Sequence, residues 1–317
     1  MTPETIALVR GVLPEHEPFH YYPDRESAWL LAQLMPEAAS VRDLRVAPFA
    51  KLLDRPSIKP LVAQSGGVLQ RSDVLALARC DWSKPAVAEV AYGPAARTFE
   101  RSLTDWGTDV DDYGWGQISR PGGNLVVQVN FPAEHQALFY QHMPHDRRKD
   151  LEMPMHPIRE NRTPTMAWVR VDLCLETGVA LVEEVQSDWF RELSWLIGQA
   201  ERNKARSRDL RNYQAYQKAV LARFGKDWAK ATLLAALVLL REELGLREVY
   251  MHQAWSGPKL KRIAGTAPPK SLYTALPSWF CFEPTQEAPA FLHQPASKIL
   301  RRMRSDKRAP FWRLRFN

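Results

Sequence analysis

Residues 166–190, MAWVRVDLCLETGVALVEEVQSDWF, decide the fold. Apolar and polar side chains alternate across residues 167–174, which is the pattern of a strand with one buried face. Thr177 and Gly178 are typical of a tight turn. Residues 179–185 are then nearly continuous in apolar side chains, as in a central strand that is covered on both faces. The stretch therefore predicts a β-hairpin inside a larger sheet.

The second strand of this hairpin ends in polar side chains. These are Glu183, Glu184, Gln186, Ser187 and Asp188. Carboxylates at the end of a buried strand are costly unless they are paired or used, so the cluster predicts an active or binding site. The simpler alternative is that the strand emerges into solvent and that Asp188 caps the helix that follows.

We expect a cleft at the carboxyl end of this strand, with Trp189 or Trp255 as its wall. The candidate catalytic residues are Arg170, Glu184, Gln186, Asp188 and, from a polar loop, His156. Alternate residues of a strand point the same way, so Glu184, Gln186 and Asp188 should share a face if the strand extends that far, and Glu183 should point to the opposite one. The alternative is that Arg170 and Glu184 form a structural ion pair on the sheet.

The composition is that of an ordinary globular protein. The 317 residues are 45% hydrophobic and 25% charged, and no apolar run is long enough to cross a membrane. Three cysteines, far apart in the chain, argue against a disulfide framework, and the first residues lack the features of a signal peptide. We therefore expect a cytoplasmic protein. The net charge of +7 is compatible with a nucleic-acid partner.

The pattern predicts three regions. Residues 1–100 are expected to form an N-terminal helical region with helices over 25–35 and 41–53 and a loop over 16–24. Residues 101–285 are expected to form an α/β (or α+β) core domain that carries a basic helical insertion at 190–224. Residues 286–317 are expected to be a basic, aromatic tail.

The core should contain a mixed sheet. Its predicted strands are 124–131, 167–175, 179–186 and 248–254, with a short final strand at 279–282. The apolar helix over 226–244 should connect the third of these strands to the fourth in a right-handed parallel βαβ crossover.

Two groups of potential metal ligands have the wrong spacing. Asp109, Asp111 and Asp112 do not follow the order of a calcium loop. His142 and His145 are separated by a proline that breaks the helix, and no cysteine stands nearby to complete a zinc site. We predict no resident metal.

Two basic segments, 201–211 and 298–315, predict contact with DNA or RNA. Arg and Lys neutralise phosphates, and neighbouring aromatic residues can stack on bases. The aromatic residues are Tyr213 and Tyr216 beside the first segment and Phe311, Trp312 and Phe316 in the second. The alternative is a solvated helix and a tail that docks Trp312 on the core. If the second segment only binds nucleic acid, truncation after Pro295 should leave the fold intact.

The segment EEVQSDW, residues 183–189, resembles the motif of a domain found in large polyvalent proteins of phages and mobile elements. The match extends over about 120–285. It also includes AWVR at 167–170, His156, DWAKATLLAAL at 227–237, REVYMHQAW at 247–255, and the LY and LP pairs within 272–277. The resemblance implies a phage-related origin and places a site at the motif without naming a reaction.

A second resemblance, in topology and in the general pattern of the sequence, is to the GNAT acyltransferase superfamily. Residues 223–251 resemble the GNAT segment from the pyrophosphate loop through its helix to the next strand, and 271–282 resemble the helix and strand that follow. The resemblance implies Glu184 as general base and Gly225 and Lys226 as contacts to a coenzyme A thioester. The chain departs from the family at Asp227, which would repel a pyrophosphate.

A third resemblance is to the restriction-endonuclease-like nuclease core. Asp172 and Glu184 would hold Mg²⁺ there, and Gln186 stands at the position of a lysine. The function expected from the sequence is thus a GNAT-like transferase of phage or mobile-element origin that acts on or near nucleic acid. The alternatives are a metal-dependent nuclease and a non-catalytic nucleic-acid-binding protein.

Overall fold

The computed structural model describes residues 1–79, 96–108, 116–159, 162–202, 207–263 and 269–317. These residues form a mixed α/β fold around a sheet of eight strands in the order β1-β4-β5-β6-β7-β8-β10-β9. A second sheet pairs β2 with β3. The strands are β1 His16–Tyr21, β2 Ala38–Ser40, β3 Val68–Gln70, β4 Arg97–Trp106, β5 Asn124–Asn130, β6 Thr165–Cys174, β7 Val179–Gln186, β8 Glu248–His252, β9 Glu283–Thr285 and β10 Phe311–Arg315.

Helices cover both faces of the large sheet. Within the described residues they are α1 Pro3–Val12, α2 Arg25–Leu34, α3 Val41–Leu44, α4 Lys59–Gln64, α5 Arg71–Ala78, α6 Glu134–His142, α7 Asp188–Arg202, α8 Ser207–Val220, α9 Trp228–Val238, α10 Gly257–Leu260, α11 Ala275–Trp279 and α12 Ser297–Met303. Two π-helical turns, Leu221–Gly225 and Leu239–Glu243, flank α9. None of the helices in these ranges is long and apolar enough to cross a membrane.

The predicted hairpin is present as β6 and β7, which pair in antiparallel fashion. Gly178 has a positive φ of 68° at the turn, a conformation that costs glycine little because it has no Cβ. β7 lies in the middle of the large sheet, between β6 and β8. The predicted mixed sheet is therefore confirmed.

The crossover from β7 to β8 is parallel, and α9 runs between the two strands. Residues 231–237 of α9 are fully buried, as its apolar sequence predicts. The parallel ladder ends where Val182 pairs with Met251, whereas β7 continues to Gln186. β7 thus continues for four residues beyond the ladder, whereas β8 ends at His252, one residue beyond it.

The N-terminal region contributes strands as well as helices. Residues 16–21, expected as a loop, form β1 at one edge of the large sheet, where Pro18 is tolerated. Phe19 and Tyr21 point into the core from this strand. The helix expected over 41–53 is interrupted by Pro48 and consists of α3 and a 3₁₀ helix, Ala50–Asp54.

The C-terminal residues are built into the sheet. β10 lies between β8 and β9 and pairs with both. Phe311 and Leu314 are buried, and Trp312 donates from Nε1 to the carbonyl of Tyr273 at 2.8 Å. The strand expected at 279–282 was wrong, because α11 extends to Trp279 and a turn through Cys281, with a φ of 60°, delays the strand to 283.

The large sheet separates two apolar clusters. The larger cluster joins α2, α7, α8 and α9 to one face of the sheet. The smaller cluster joins Leu181, Tyr250 and Phe311 to α10 and α12 on the other face. The polar side chains at the end of β7 lie between strand β6, strand β8 and the loop that begins at Gly116.

Candidate active site

A β-bulge shapes the end of β7. Arg170 lies opposite Glu184 and Val171 lies opposite Val182, so Glu183 is an extra residue on β7. A bulge breaks the alternation of side chains, which is why the expected orientation of Glu183 away from Glu184 was wrong. The loop at 116–119 contacts Glu183 through Ser119, and it contacts Arg170, which pairs with Glu184, through Gly116. The same loop therefore covers both carboxylates.

Arg170 and Glu184 form a buried ion pair. The guanidinium of Arg170 also donates to the carbonyls of Gly116, at 2.8 Å, and Gln117, at 3.2 Å. Only 1% of the Arg170 side chain is exposed, so the pair lies beneath the loop rather than in an open cleft. This is the geometry of the structural ion pair that the sequence left open as an alternative.

Lys261 completes this ion cluster from the other side. Its Nζ lies 3.5 Å from Oε2 of Glu184 and donates to the carbonyl of Glu183 at 3.2 Å, just beyond the end of the β7–β8 ladder. Burial alone would raise the pKa of Glu184, but the charges of Arg170 and Lys261 lower it overall. A carboxylate held by two cations is a weak base, because its charged form is stabilised.

Glu183, His252 and Ser119 form a second buried network. Oε2 of Glu183 lies 2.9 Å from Nε2 of His252 and accepts from the hydroxyl of Ser119 at 2.8 Å. The backbone N–H of Ser119 donates to Oε1 at 3.0 Å. Burial alone would raise the pKa of Glu183, but these partners lower it to about 2. The network joins β7, β8 and the covering loop.

His156, Gln186 and Asp188 meet at the surface, at the end of β7. Nδ1 of His156 lies 2.9 Å from Oδ1 of Asp188. Trp168 donates from Nε1 to Oδ2 of Asp188 at 2.9 Å, and Arg191 lies 2.7 Å from Oδ1. Gln186 donates to the same carboxylate and lies 3.2 Å from Nδ1 of His156. About 26% of the His156 side chain is exposed, against 3% for Asp188.

Two tryptophans stand between this surface group and the buried ion pair. The rings of Trp106 and Trp168 present edges to the His156 ring, with centroids 6.1 Å and 5.9 Å away. The guanidinium of Arg170 lies 5.1 Å and 5.8 Å from the same two ring centroids. The five predicted site residues thus form two groups, with His156, Gln186 and Asp188 outside and Arg170 and Glu184 inside.

The tryptophans expected as walls lie elsewhere. Trp189 is buried in the main core, where its Nε1 donates to the hydroxyl of Tyr216 at 2.7 Å. Trp255 contacts two cations, with Lys259 at 4.9 Å and Arg308 at 4.5 Å from its ring centroid. The walls beside His156 come instead from the end of β4 and from β6.

The carboxylates of the nuclease hypothesis are bound to cations. Asp172 lies 2.7 Å from the N-terminal ammonium and is bridged by both nitrogens of the Arg120 fork at 2.6 Å and 2.8 Å. Glu184 is held by Arg170 and Lys261. Within the described residues, no group of three or more His, Cys, Asp and Glu side chains could hold a metal ion. Asp109, Asp111 and Asp112 lie outside the described residues.

The segment expected to hold a pyrophosphate is helical. Gly225 ends the first π-helical turn, and Lys226 connects it to Asp227, which precedes α9. Lys230, in the first turn of α9, lies 3.8 Å from the buried carboxylate of Glu26. The start of α9 therefore carries Asp227 and a lysine paired with a buried carboxylate rather than an open glycine-rich loop.

Several residues of the site were not found from the sequence. They are Trp106, Ser119, Trp168, His252 and Lys261. These residues are scattered over more than 150 positions, and each alone has an ordinary structural explanation. The motif at 183–189 marks only one strand of the site, and the covering loop and β8 supply the rest.

Comparisons with protein-family models, with curated proteins and with solved structures found no match to this chain. Its function is therefore inferred from the site.

Proposed function

We propose that this protein is a GNAT-like transferase-type enzyme in which His156 is the general base and Asp188 orients it. The contact of 2.9 Å between Nδ1 of His156 and Oδ1 of Asp188 carries the proposal. A carboxylate on one ring nitrogen fixes the tautomer and leaves the other nitrogen to accept a proton.

The surroundings suit this role. Nε2 of His156 has no partner among the described residues, and the ring is partly exposed between Trp106 and Trp168. Asp188 is fixed by Trp168 and by Arg191, so it can hold the imidazole without moving. Burial alone would raise the pKa of Asp188, but the hydrogen bonds from His156 and Trp168 and the charge of Arg191 lower it, which keeps the carboxylate ionised.

Glu184 is the weaker candidate for the base, although the resemblance implies it. Its charge is neutralised by Arg170 and Lys261, and its side chain lies behind the two tryptophans. We assign it to holding the covering loop and the end of β7. His156, from the loop that precedes β6, takes over proton abstraction in this proposal.

The crossover from β7 to β8 supports the GNAT-like assignment. The resemblance is one of topology, and these two strands are parallel neighbours in the sheet, with α9 in the connection between them. The bulge at Glu183 lies directly after the last paired residue. A reacting group would meet His156 near this end of the sheet.

We expect the nucleotide part of the acyl donor to contribute little to its binding. Asp227 stands directly before α9, where coenzyme A would place its pyrophosphate, and Lys230 faces the buried carboxylate of Glu26. We therefore expect acetyl-pantetheine, which lacks the nucleotide, to be used about as well as acetyl-CoA. A donor panel with both thioesters and with amine and hydroxyl acceptors tests the reaction class.

The variants His156→Ala and His293→Ala test the base. His293 is exposed and distant in sequence from the site, so it serves as the matched control. Loss of a general base should reduce the transfer rate by roughly 10²–10⁴ in His156→Ala and leave the control unchanged. The proposal fails if the wild type transfers no acyl group from either thioester, or if His156→Ala retains the full rate.

A further inference from the structure

Helix α12 and the turn after it carry unneutralised positive charge. Five exposed cations, none of which forms an ion pair with any described residue, occupy this segment: Lys298, Arg301, Arg302, Arg304 and Lys307. Asp306 is the sole carboxylate within residues 297–308, and Arg308 already pairs with it at 2.7 Å. We call the surface formed by the five cations the α12 patch.

The α12 patch stands on a fixed base. Leu300 and Met303 are buried in the smaller apolar cluster, against Leu181 and Phe311. On a helix, residues 300 and 303 share one face, so the cations at 298, 301 and 302 lie around the other side, and Arg304 follows the last helical residue. The charges are thus displayed by an anchored element rather than by a loose tail.

The cations of neighbouring β10 do not extend the patch. Arg313 pairs with Glu287, and Arg315 pairs with Glu248. The two arginines of β10 are therefore neutralised, whereas the cations of α12 and the turn after it are not. Within residues 297–317, free positive charge is thus available to a partner from the α12 patch and not from β10.

The aromatic residues expected to stack on bases are not available. Tyr213, Tyr216, Phe311 and Phe316 are buried, with at most 9% exposed, and Trp312 donates to a core carbonyl. Exposed large apolar side chains, which insertion into a lipid surface requires, occur elsewhere among the described residues but not within 286–310. The patch thus offers charge without a stacking platform or an apolar anchor.

We propose that the α12 patch binds the phosphate backbone of duplex nucleic acid, without sequence preference. A duplex presents regularly spaced phosphates at high density, and binding to Lys and Arg releases its condensed counterions. Single strands gain from aromatic stacking, which this surface cannot supply. This inference does not depend on the chemistry assigned to His156.

The test uses the full chain and a fluorescent DNA duplex of about 20 base pairs, with anisotropy measured between about 50 and 200 mM salt. Arg301→Ala/Arg302→Ala is compared with Arg42→Ala/Lys59→Ala, which removes two exposed cations from the N-terminal region. The first pair should weaken binding at least tenfold at low salt and reduce the slope of log Kd against log salt by about 2. The control pair should match the wild type.

Circular dichroism checks that each variant is folded, and Lys298→Ala/Lys307→Ala provides a second pair should the first misfold. The proposal is overturned if the wild type does not bind the duplex at low salt. It is also overturned if the control Arg42→Ala/Lys59→Ala weakens binding as much as Arg301→Ala/Arg302→Ala does. It is also overturned if a single strand of the same length binds much more tightly, or if binding occurs only to anionic lipid vesicles.

Discussion

His156 and Asp188 are separated by 32 positions in the chain, yet Nδ1 of the imidazole lies 2.9 Å from Oδ1 of the carboxylate. The loop before β6 brings the histidine, and the first residue of α7 brings the aspartate. Asp188 thus does more than begin a helix. It receives the Nε1–H of Trp168 and the guanidinium of Arg191, and it orients the one partly exposed imidazole of the cluster.

The buried ion pair should control stability. In Glu184→Gln, the charges of Arg170 and Lys261 remain buried without their carboxylate. Breaking a buried pair in this way costs about 3–5 kcal/mol, so the midpoint of urea unfolding should fall markedly. Glu176→Gln, at an exposed position of the hairpin turn, should change the free energy of unfolding by less than about 0.5 kcal/mol. A fully stable Glu184→Gln protein that has lost activity would instead make Glu184 catalytic.

The Glu183 network should make stability depend on pH. The pKa of Glu183 is about 2 in the folded protein, below the ordinary value of 4.5. Its carboxylate therefore stabilises the fold fully above pH 4.5, and this contribution is lost as the pH falls toward 2. The difference in unfolding free energy between the wild type and Glu183→Gln should be largest near neutral pH and shrink through that interval. A difference that stays constant with pH would contradict this assignment.

The C-terminal strand should be essential to the fold. Leu314 is 2% exposed, so Leu314→Ala should reduce the free energy of unfolding by about 2–5 kcal/mol. Arg315→Ala, at the next position on β10, removes only a surface ion pair and should cost about 1 kcal/mol or less. Thermal unfolding of the two variants measures the contrast.

Truncation after Pro295 removes both α12 and β10, so we expect an unfolded or insoluble chain. This reverses the expectation drawn from the sequence, in which the basic composition of 298–315 predicted a removable tail. A truncated protein with a native circular dichroism spectrum and a cooperative transition would show that β10 contributes little.

The central hairpin was predictable because its signals are local. The alternation in β6, the turn at Gly178 and the apolar run of β7 all lie within 25 residues. The apolar composition of α9 likewise predicts a buried crossover helix. β1 and β10 were missed for the opposite reason. The histidines and proline of β1 are typical of a loop, and the arginines of β10 are typical of a solvated tail. Pairing with strands that are distant in the sequence makes both segments part of the sheet.

The motif at 183–189 predicted a cluster of polar side chains at the end of β7, but not how its residues divide into two groups. A bulge cannot be read from the sequence here, so the shared cover of Glu183 and Glu184 was unforeseen. Lys261 reaches Glu184 from 77 positions away. Nothing in the sequence around Trp106 and Trp168 indicates that their rings lie between His156 and Arg170.

Nitrogen-15 NMR of the His156 ring at neutral pH tests the central claim most directly, since it needs no substrate. An imidazole that donates from Nδ1 to Asp188 must carry its proton there and present Nε2 as an acceptor. We predict the Nδ1–H tautomer in the wild type and a loss of that preference in Asp188→Asn. A wild-type ring with its proton on Nε2, or one unchanged by Asp188→Asn, would contradict the assignment of His156 as the oriented general base.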